Sequence, residues 1–498
     1  MGAGERQKQA MLAELGLTPQ SGQEARVSGL AIDSRRVTRG DLFAALPGTS
    51  VHGGRFIGAA LEAGAAAILT DAEGARHAAA ALAGSSAALV VTEDPRAALA
   101  CAAALWFGAQ PETMVAVTGT NGKTSVAQFT RQIWQGMGLA AVNLGTTGME
   151  GDWEAPLAHT TPDAITLHRA LAEAAEAGID HAAMEASSHG LDQRRLEGVR
   201  LAAAGFTNIT QDHLDYHGTM QAYFSAKARL FTRVLGTDGV AVINTDGARG
   251  GRMAEVAEDA GHEVLRVGRS EACALRLEAL RFDPVGQEMR FSWNGRSRQV
   301  SLPLIGGFQA ENVLVAAGLV IAAGADPDEV WPALPAIGGV RGRMQLAARR
   351  DNGGAVFVDY AHTPDALETA LQALRPHVMG RIVCVFGAGG DRDRAKRPLM
   401  GQAVARHADL AIVTDDNPRG EEPAAIRAAV LEGCPEAAEV GDRAEAILRG
   451  VDALGPGDAL LIAGKGHETG QVVGDHVYPF DDVEQASVAV AALDGRVS

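Results

Sequence analysis

The sequence predicts an α/β protein of three domains, with a mostly parallel sheet in the central one. A chain of 498 residues is too long for one hydrophobic core, since domains run to roughly 100 to 200 residues each. From Met114 onward, short apolar runs alternate with helix-period segments, the pattern of a parallel sheet. In the last third, apolar strands each run into a polar loop. With 47% hydrophobic and 21% charged residues, the composition is that of an ordinary globular protein and excludes a largely disordered chain.

The first hundred or so residues alternate short apolar strands with Ala-rich helical stretches and end in a helical run, Pro95 to Gly108, followed by Gln110-Pro111. A first domain over 1–110 is expected. In a second, over 111–338, Met114 to Thr118 reads as a strand and Thr124 to Met137 as a helix. His181 to Met184 and Ala203 to Asn208 read as further strands. Residues 270–303 alternate like antiparallel strands, with Asn294-Gly295 as a hairpin turn. A helix after Asn312 closes the domain, and glycines between Gly338 and Arg343 mark the next boundary. A third domain, 339–498, has strands Ala355 to Tyr360, Ile382 to Phe386, Leu410 to Thr414 and Ala459 to Ala463. In open parallel sheets ligands bind beyond the carboxyl ends of strands, so four polar loops there predict a second site.

The chain has 44 basic against 61 acidic residues, a net charge of -17, which excludes nonspecific attraction to nucleic acid or an anionic membrane. Cys101, Cys273, Cys384 and Cys434 are far apart, without disulfide or zinc spacing, as in a reducing cytoplasm. The polar opening residues lack the pattern of a secretory leader. The longest apolar run, Val313 to Ala325, is shorter than the roughly 20 residues that span a bilayer and reads as a buried helix.

Residues Gly119, Thr120, Asn121, Gly122, Lys123 and Thr124 form the most informative motif. Glycines let backbone N–H groups approach a phosphate, a helix N-terminus adds its dipole, Lys123 can reach β and γ phosphates, and Thr124 offers a hydroxyl to Mg²⁺. The spacing is two residues shorter than G-x-x-x-x-G-K-[ST], since position 117 is Val, and an ordinary glycine turn would also start a helix. Glu185, at the end of a strand, could hold Mg²⁺ or, like Ser187, cap the next helix. Asp212, His213, Asp215 and His217 crowd into six positions and suit either a metal or a helix start. Lys227 lies on a predicted helix, where a plain surface lysine is the simpler alternative. Arg392, Asp416, Asn417, Arg419 and Glu468 fall at strand ends, where they could bind a zwitterion or merely shape turns.

Taken in order, the motifs TGTNGKT, MEASSHGL, TNITQDHLDYHGT, YFSAKARLF, GGFQAEN, GRMQ, VDYAHTPDAL, GAGGDRDRAKRPLM, DDNPR and GKGHE resemble the Mur ligase family over nearly the whole chain. They are most similar to the members that add the third amino acid of the peptidoglycan stem peptide. The resemblance implies an N-terminal domain holding the UDP end, a central P-loop-like ATPase domain and a C-terminal Rossmann-like domain bringing the amino acid. It implies that Ser34, Thr160, Thr161, Ser187, Gln193 and Arg195 contact the UDP-muramoyl dipeptide. Gly119 to Thr124 would hold the ATP phosphates and Asn312 the adenine, with Arg343, Asp359 and His362 reaching ATP from the third domain. Lys227 would be carbamylated and, with Thr124, Glu185 and His213, would bind Mg²⁺; Lys123, Glu185, His213 and Lys227 would be the catalytic set.

Asp416-Asn417-Pro418-Arg419 is similar to the signature of meso-diaminopimelate-adding members, so Arg392, Arg419, Gly464 and Glu468 would also grip that amino acid. His159 and Gln309 depart from the family's usual residues. The implied reaction passes through an acyl phosphate made with ATP, by a monomeric enzyme of the bacterial cytoplasm with no nucleic-acid partner and no membrane insertion. Another ligase of the superfamily, or a nucleotide-binding switch, is the competing expectation.

Overall fold

A computed structural model describes residues 8–20, 24–48, 51–284 and 286–496; the polar opening of the chain, residues 1–7, lies outside them. The chain divides into two compact units. One comprises the residues up to Arg266 with Val315–Val330, the other Val267–Leu314 with Trp331 onward.

In the first unit, after a short antiparallel pair, Ala10–Met11 with Arg26–Val27, four parallel strands, Gly29–Ala31, Asp41–Ala44, Ala67–Thr70 and Ala88–Val91, lie side by side in chain order. Successive side chains of a strand face opposite sides, so Leu42 and Leu69 join a core with Trp106, while Phe43 and Ile68 join another with Ile57. The helix Pro95–Phe107 starts where the Asp94 carboxylate accepts from Ala97 N and stops at Gly108, with φ 80°.

Beyond it, the order Ala141–Gly145, His181–Glu185, Thr113–Thr118, Ala203–Phe206, Val240–Asn244 builds a parallel sheet, with Gly148–Gly151 antiparallel on its outer edge. These strands are apolar on both faces because helices cover both. Thr113–Thr118 has later strands on either side, so the loop after it lies inside the row of strand ends. The strand expected over Ala203 to Asn208 stops at Phe206. Thr207 and Asn208 instead direct their hydrogen bonds at that loop: the Thr207 hydroxyl donates to Asn121 O at 2.6 Å, and Asn208 O accepts from Thr120 N at 2.9 Å.

In the second unit, Leu275–Asp283, Gly286–Trp293 and Arg296–Leu302 form the expected antiparallel ribbon. Asn294 and Gly295 turn it with φ 47° and 78°, the left-handed pair that matches strand twist. The helix expected after Asn312 runs Gly307–Ala322, counted with this unit up to Leu314 and with the first from Val315, so Asn312 lies inside it, because Gly306 at φ 95° lets the chain turn into the helix earlier. A six-stranded sheet has the order Gln345–Arg349, Ala355–Asp359, Ala459–Ala463, Ile382–Phe386, Leu410–Val413, Ala438–Glu439, parallel except for the first strand, and Gly470–Val473 pairs separately with His476–Pro479. Phe357, Cys384 and Leu461 pack on one face with Leu367 and Met400, and Val358, Val385 and Ile462 on the other with Ile447 and Val490. Helices thus cover both sides, and the polar loops collect at the carboxyl end.

Arg443 ties this end together. Fully buried, it donates from Nε and Nη2 to the two oxygens of Asp482, each at 2.7 Å, and from Nη2 to Ala463 O at 3.0 Å. Among the described residues no helix is long and apolar enough to cross a membrane. Replacing Asp482 by Ala leaves the Arg443 guanidinium buried without its counter-charge, and is expected to destabilise this unit by about 3–5 kcal/mol in denaturant unfolding.

Candidate functional site

The loop 119–124 is shaped by its glycines and by what braces it. Gly119 has φ 154°, and a β-carbon there would come within 1.9 Å of the Thr207 hydroxyl. Gly122 has φ 88° and opens the helix Lys123–Gly136 without a side-chain cap, so the positive end of the helix dipole faces the loop. Asn208 braces the loop through its Oδ1, which accepts from Asn121 N at 3.0 Å. Tyr223 adds its hydroxyl, 3.1 Å from that of Thr120.

Two lysines converge on this loop. Lys123 Nζ donates to Gly119 O and Thr120 O, both at 2.9 Å, and Lys227 Nζ donates to Gly119 O at 2.6 Å. Lys227 is completely buried and sits over the Tyr223 ring at 4.5 Å. Burial first, and then the positive charge of Lys123, hold its amine well below the usual lysine range, while Asp212 opposes the shift. The surface-lysine alternative is excluded, and a buried amine held toward its neutral form takes its place.

Glu185 is buried, 1% exposed, at the end of its strand. Its Oε1 accepts from Thr146 N at 2.8 Å; Oε2 has only a 3.4 Å contact from the Thr146 hydroxyl, and no basic side chain pairs with it among the described residues. A chain of hydroxyls continues outward. Thr146 Oγ1 lies 3.1 Å from Thr160 Oγ1, Thr161 Oγ1 donates to Glu185 O at 2.8 Å, and Ser187 N donates to Thr161 Oγ1 at 3.0 Å. Ser187 caps the following helix through Gly190 N, as one alternative expected. Arg195 Nη1 donates to Thr161 O at 2.5 Å and Nη2 to Gln193 Oε1 at 2.7 Å. Thr160, Thr161, Ser187, Gln193 and Arg195 are thus gathered beside Glu185.

His213, at φ 52°, starts the short helix Leu214–His217 with its ring 4.8 Å from that of His189. His189 also packs on Tyr216 at 4.2 Å and lies 5.6 Å from His217. Burial keeps all three imidazoles below their ordinary range. Sequence reasoning missed His189 and Tyr223 as parts of this cluster, although both stand in the quoted motifs MEASSHGL and YFSAKARLF. Among the described residues no three His, Cys, Asp or Glu side chains form a metal-binding group. Ser34 lies apart, in the short helical turn Ser34–Arg36 of the first sheet's loops.

In the second unit the strand-end residues meet. Asn417 Nδ2 donates to Glu468 Oε2 at 2.8 Å, and Asn417 N to Asp416 Oδ1 at 2.7 Å. Arg419 sits at φ 50°, held because its N–H donates to Val472 O at 3.0 Å and its own carbonyl accepts from Gly474 N at 2.8 Å. Its Nη1 donates to Gly390 O at 2.9 Å, while Nε and Nη2 have no partner among the described residues. Gly464, at φ 118°, has no room for a β-carbon, which would lie 2.3 Å from Asp416 Oδ2. Arg392 is exposed and without a hydrogen bond among the described residues.

The same unit carries Arg343 over the Tyr360 ring at 4.7 Å, with His362 and His467 rings 4.6 and 5.0 Å from that ring. Asp359 accepts from Met344 N at 2.7 Å and Ala361 N at 2.8 Å. Asn312 Nδ2 donates to Gln309 Oε1 at 3.0 Å, so the departure at Gln309 is absorbed by a hydrogen bond within one helix. Lys465, Tyr360 and His467 were not singled out from the sequence; a lysine between two glycines carries no signal of burial.

Three family models match the chain: "Mur ligase family, catalytic domain" over 26–106, "Mur ligase middle domain" over 117–320 and "Mur ligase, glutamate ligase domain" over 342–466. Two relatives, from Caulobacter vibrioides and Bradyrhizobium diazoefficiens, are each named UDP-N-acetylmuramoyl-L-alanyl-D-glutamate--2,6-diaminopimelate ligase. The first is 51% identical, covering 94% of this chain and 96% of its own; the second is 50% identical, covering 94% and 95%. A solved structure of a ligase of that name matches with a TM-score of 0.69 at 36% identity, over 94% of this chain and 95% of its own. The expected three-domain α/β fold, with its P-loop-like and Rossmann-like parts, is the fold of these matches.

Replacing Gly119 by Ala forces a β-carbon onto Thr207 and disfavours the backbone angle, so affinity for a non-hydrolysable ATP analogue is expected to fall roughly tenfold or more in direct titration.

Proposed function

The chain belongs to the Mur ligase family, and from that premise we propose that it joins meso-2,6-diaminopimelate to UDP-N-acetylmuramoyl-L-alanyl-D-glutamate, using ATP, in the making of peptidoglycan precursors. The observation that carries the choice of amino acid is the loop Asp416-Asn417-Pro418-Arg419, tied to Glu468 at the carboxyl end of the sheet. The free Nε and Nη2 edge of Arg419 suits a carboxylate, and Glu468 suits an ammonium. A lysine substrate has no carboxylate to match that edge. Asp416, Pro418, Gly464 and Arg392 would complete this site.

The reaction needs the glutamate carboxylate of the muramoyl dipeptide made electrophilic. Its oxygen attacks the γ-phosphorus of ATP, ADP leaves, and the resulting acyl phosphate is attacked by the amine of diaminopimelate, which loses a proton as phosphate departs. No protein nucleophile takes part. Lys123 and the first-turn N–H groups of residues 122–124 counter the charge of the phosphates. Thr160, Thr161, Ser187, Gln193 and Arg195 would orient the muramoyl substrate beside Glu185, and Ser34 would contact the UDP end. The ATP roles of Asn312, Arg343, Asp359 and His362 rest on the family resemblance.

Mg²⁺ fits the residues present. Glu185 is a buried carboxylate without a basic partner among the described residues, and Thr124 adds a hydroxyl, both oxygen donors of the kind this ion prefers. Bound with His213, the ion would counter charge on the transferring phosphate. Lys227 as an ammonium would repel it. As a neutral amine its nitrogen can attack CO₂, release a proton and become a carbamate, an anionic oxygen ligand. A monomer in the bacterial cytoplasm completes the proposal.

An ADP-release assay with the muramoyl dipeptide and diaminopimelate, lysine or ornithine tests this reading: diaminopimelate alone is expected to stimulate release, and stimulation by lysine to the same degree would sink it. For Arg419→Ala, the KM for diaminopimelate is expected to rise roughly 100-fold, as for loss of a charged hydrogen-bonded pair, with that for ATP little changed. Turnover of Lys227→Ala should collapse and recover in part with added short-chain carboxylic acids; no recovery would argue against the carbamate.

A further inference from the structure

Lys465 is buried, with no exposed surface, at the end of the strand Ala459–Ala463, and no substrate can touch it. Its Nζ donates to Asn417 Oδ1 at 3.0 Å and approaches Glu468 Oε2 at 3.4 Å. Asn417 Oδ1 also accepts from Val472 N at 2.9 Å. With two donors facing it, that atom must be the amide oxygen, so the nitrogen of the same amide is directed at Glu468 Oε2, 2.8 Å away. One carboxylate oxygen of Glu468 is thereby committed to the protein. The other, Oε1, has no partner among the described residues, and the side chain is 32% exposed.

Arg419 hangs from the same edge, because its N–H donates to Val472 O. The residues able to hold an ammonium and a carboxylate are therefore both fixed relative to the segment Gly470–Val473, one directly and one through Asn417, whose oxygen accepts from both Val472 N and Lys465 Nζ. Telling one configuration at a carbon from its mirror image takes three fixed contacts. Here they are the carboxylate at Arg419, the ammonium at Glu468 Oε1 and the chain leading to the reacting amine.

Resting on the reading of this site as one for diaminopimelate, we propose that Lys465 is a positioning residue for stereochemical selectivity: acting through Asn417 and Glu468, it makes the site accept the meso isomer over the L,L isomer. Without it, Val472 N alone holds the Asn417 oxygen and the ammonium beside Glu468 Oε2 is gone, so Glu468 rests on the single Asn417 Nδ2 contact and can turn either oxygen toward the ammonium of the substrate. Both isomers then find an acceptor.

The test is the ratio of kcat/KM for meso- over L,L-diaminopimelate in the whole enzyme and in Lys465→Met. The ratio is expected to fall roughly tenfold or more in the variant, a loss typical of misplaced polar contacts, with the KM for ATP within about twofold of its original value. Because both rates come from one preparation, the ratio does not depend on the fraction folded. Lys465→Arg, which keeps donors of different reach, is expected to fall between the two and serves as the second variant should Lys465→Met not fold. A selective parent enzyme whose variants keep the same ratio overturns the inference alone. A parent enzyme inactive on both isomers overturns the reading of the site, and this inference with it.

Discussion

The carbonyl oxygen of Gly119 accepts from two lysines at once, and the first unit is organised around that meeting. Two ammonium groups on one carbonyl repel each other, and in a protein interior that repulsion is weakly screened. The conflict is resolved by location. Lys123 stands at the opening of a helix, where the proposed phosphate would supply negative charge, whereas Lys227 is sealed among Tyr223 and the loop and is driven toward its neutral amine. One carbonyl thus holds two lysines in different surroundings, and burial disfavours the charge of only Lys227 so strongly.

The rest of the loop follows from the same crowding. Gly119 can have no side chain because Thr207 occupies the space, and Thr207 is there because its strand ends one residue earlier. Strand end, brace and phosphate loop form one object assembled from residues almost ninety positions apart.

The second unit uses buried cations differently. Arg443 finds both oxygens of Asp482 and is satisfied, a closed pair that holds strand ends together. Lys465 finds an amide oxygen and part of a carboxylate, an open arrangement that leaves Glu468 one oxygen to offer outward. Burying a charge is costly in either case. The closed pair serves the fold, and the open one is where we place the positioning role.

Much was legible in the sequence because local physics writes it there. The strands Thr113–Thr118, Ile382–Phe386 and Ala459–Ala463 are continuous apolar runs that only a sheet covered on both faces can bury, and the hairpin at Asn294-Gly295 needs residues that tolerate positive φ. The turn into the helix at 119–124 was legible for the same reason, since its glycines and its Lys-Thr pair lie within six residues. The order of the motifs along the chain was enough to show the family. What no window of sequence contains is burial. Lys227 and Lys465 look like any helix or loop lysine until distant segments close over them, and His189 becomes part of a cluster only when the helix Leu214–His217 folds against it. Residue types and their spacing were determined locally; the lowered basicity of Lys227, the orientation of Asn417 and the free oxygen of Glu468 were decided by tertiary packing, because desolvation and hydrogen-bond competition depend on neighbours that the chain brings together only on folding.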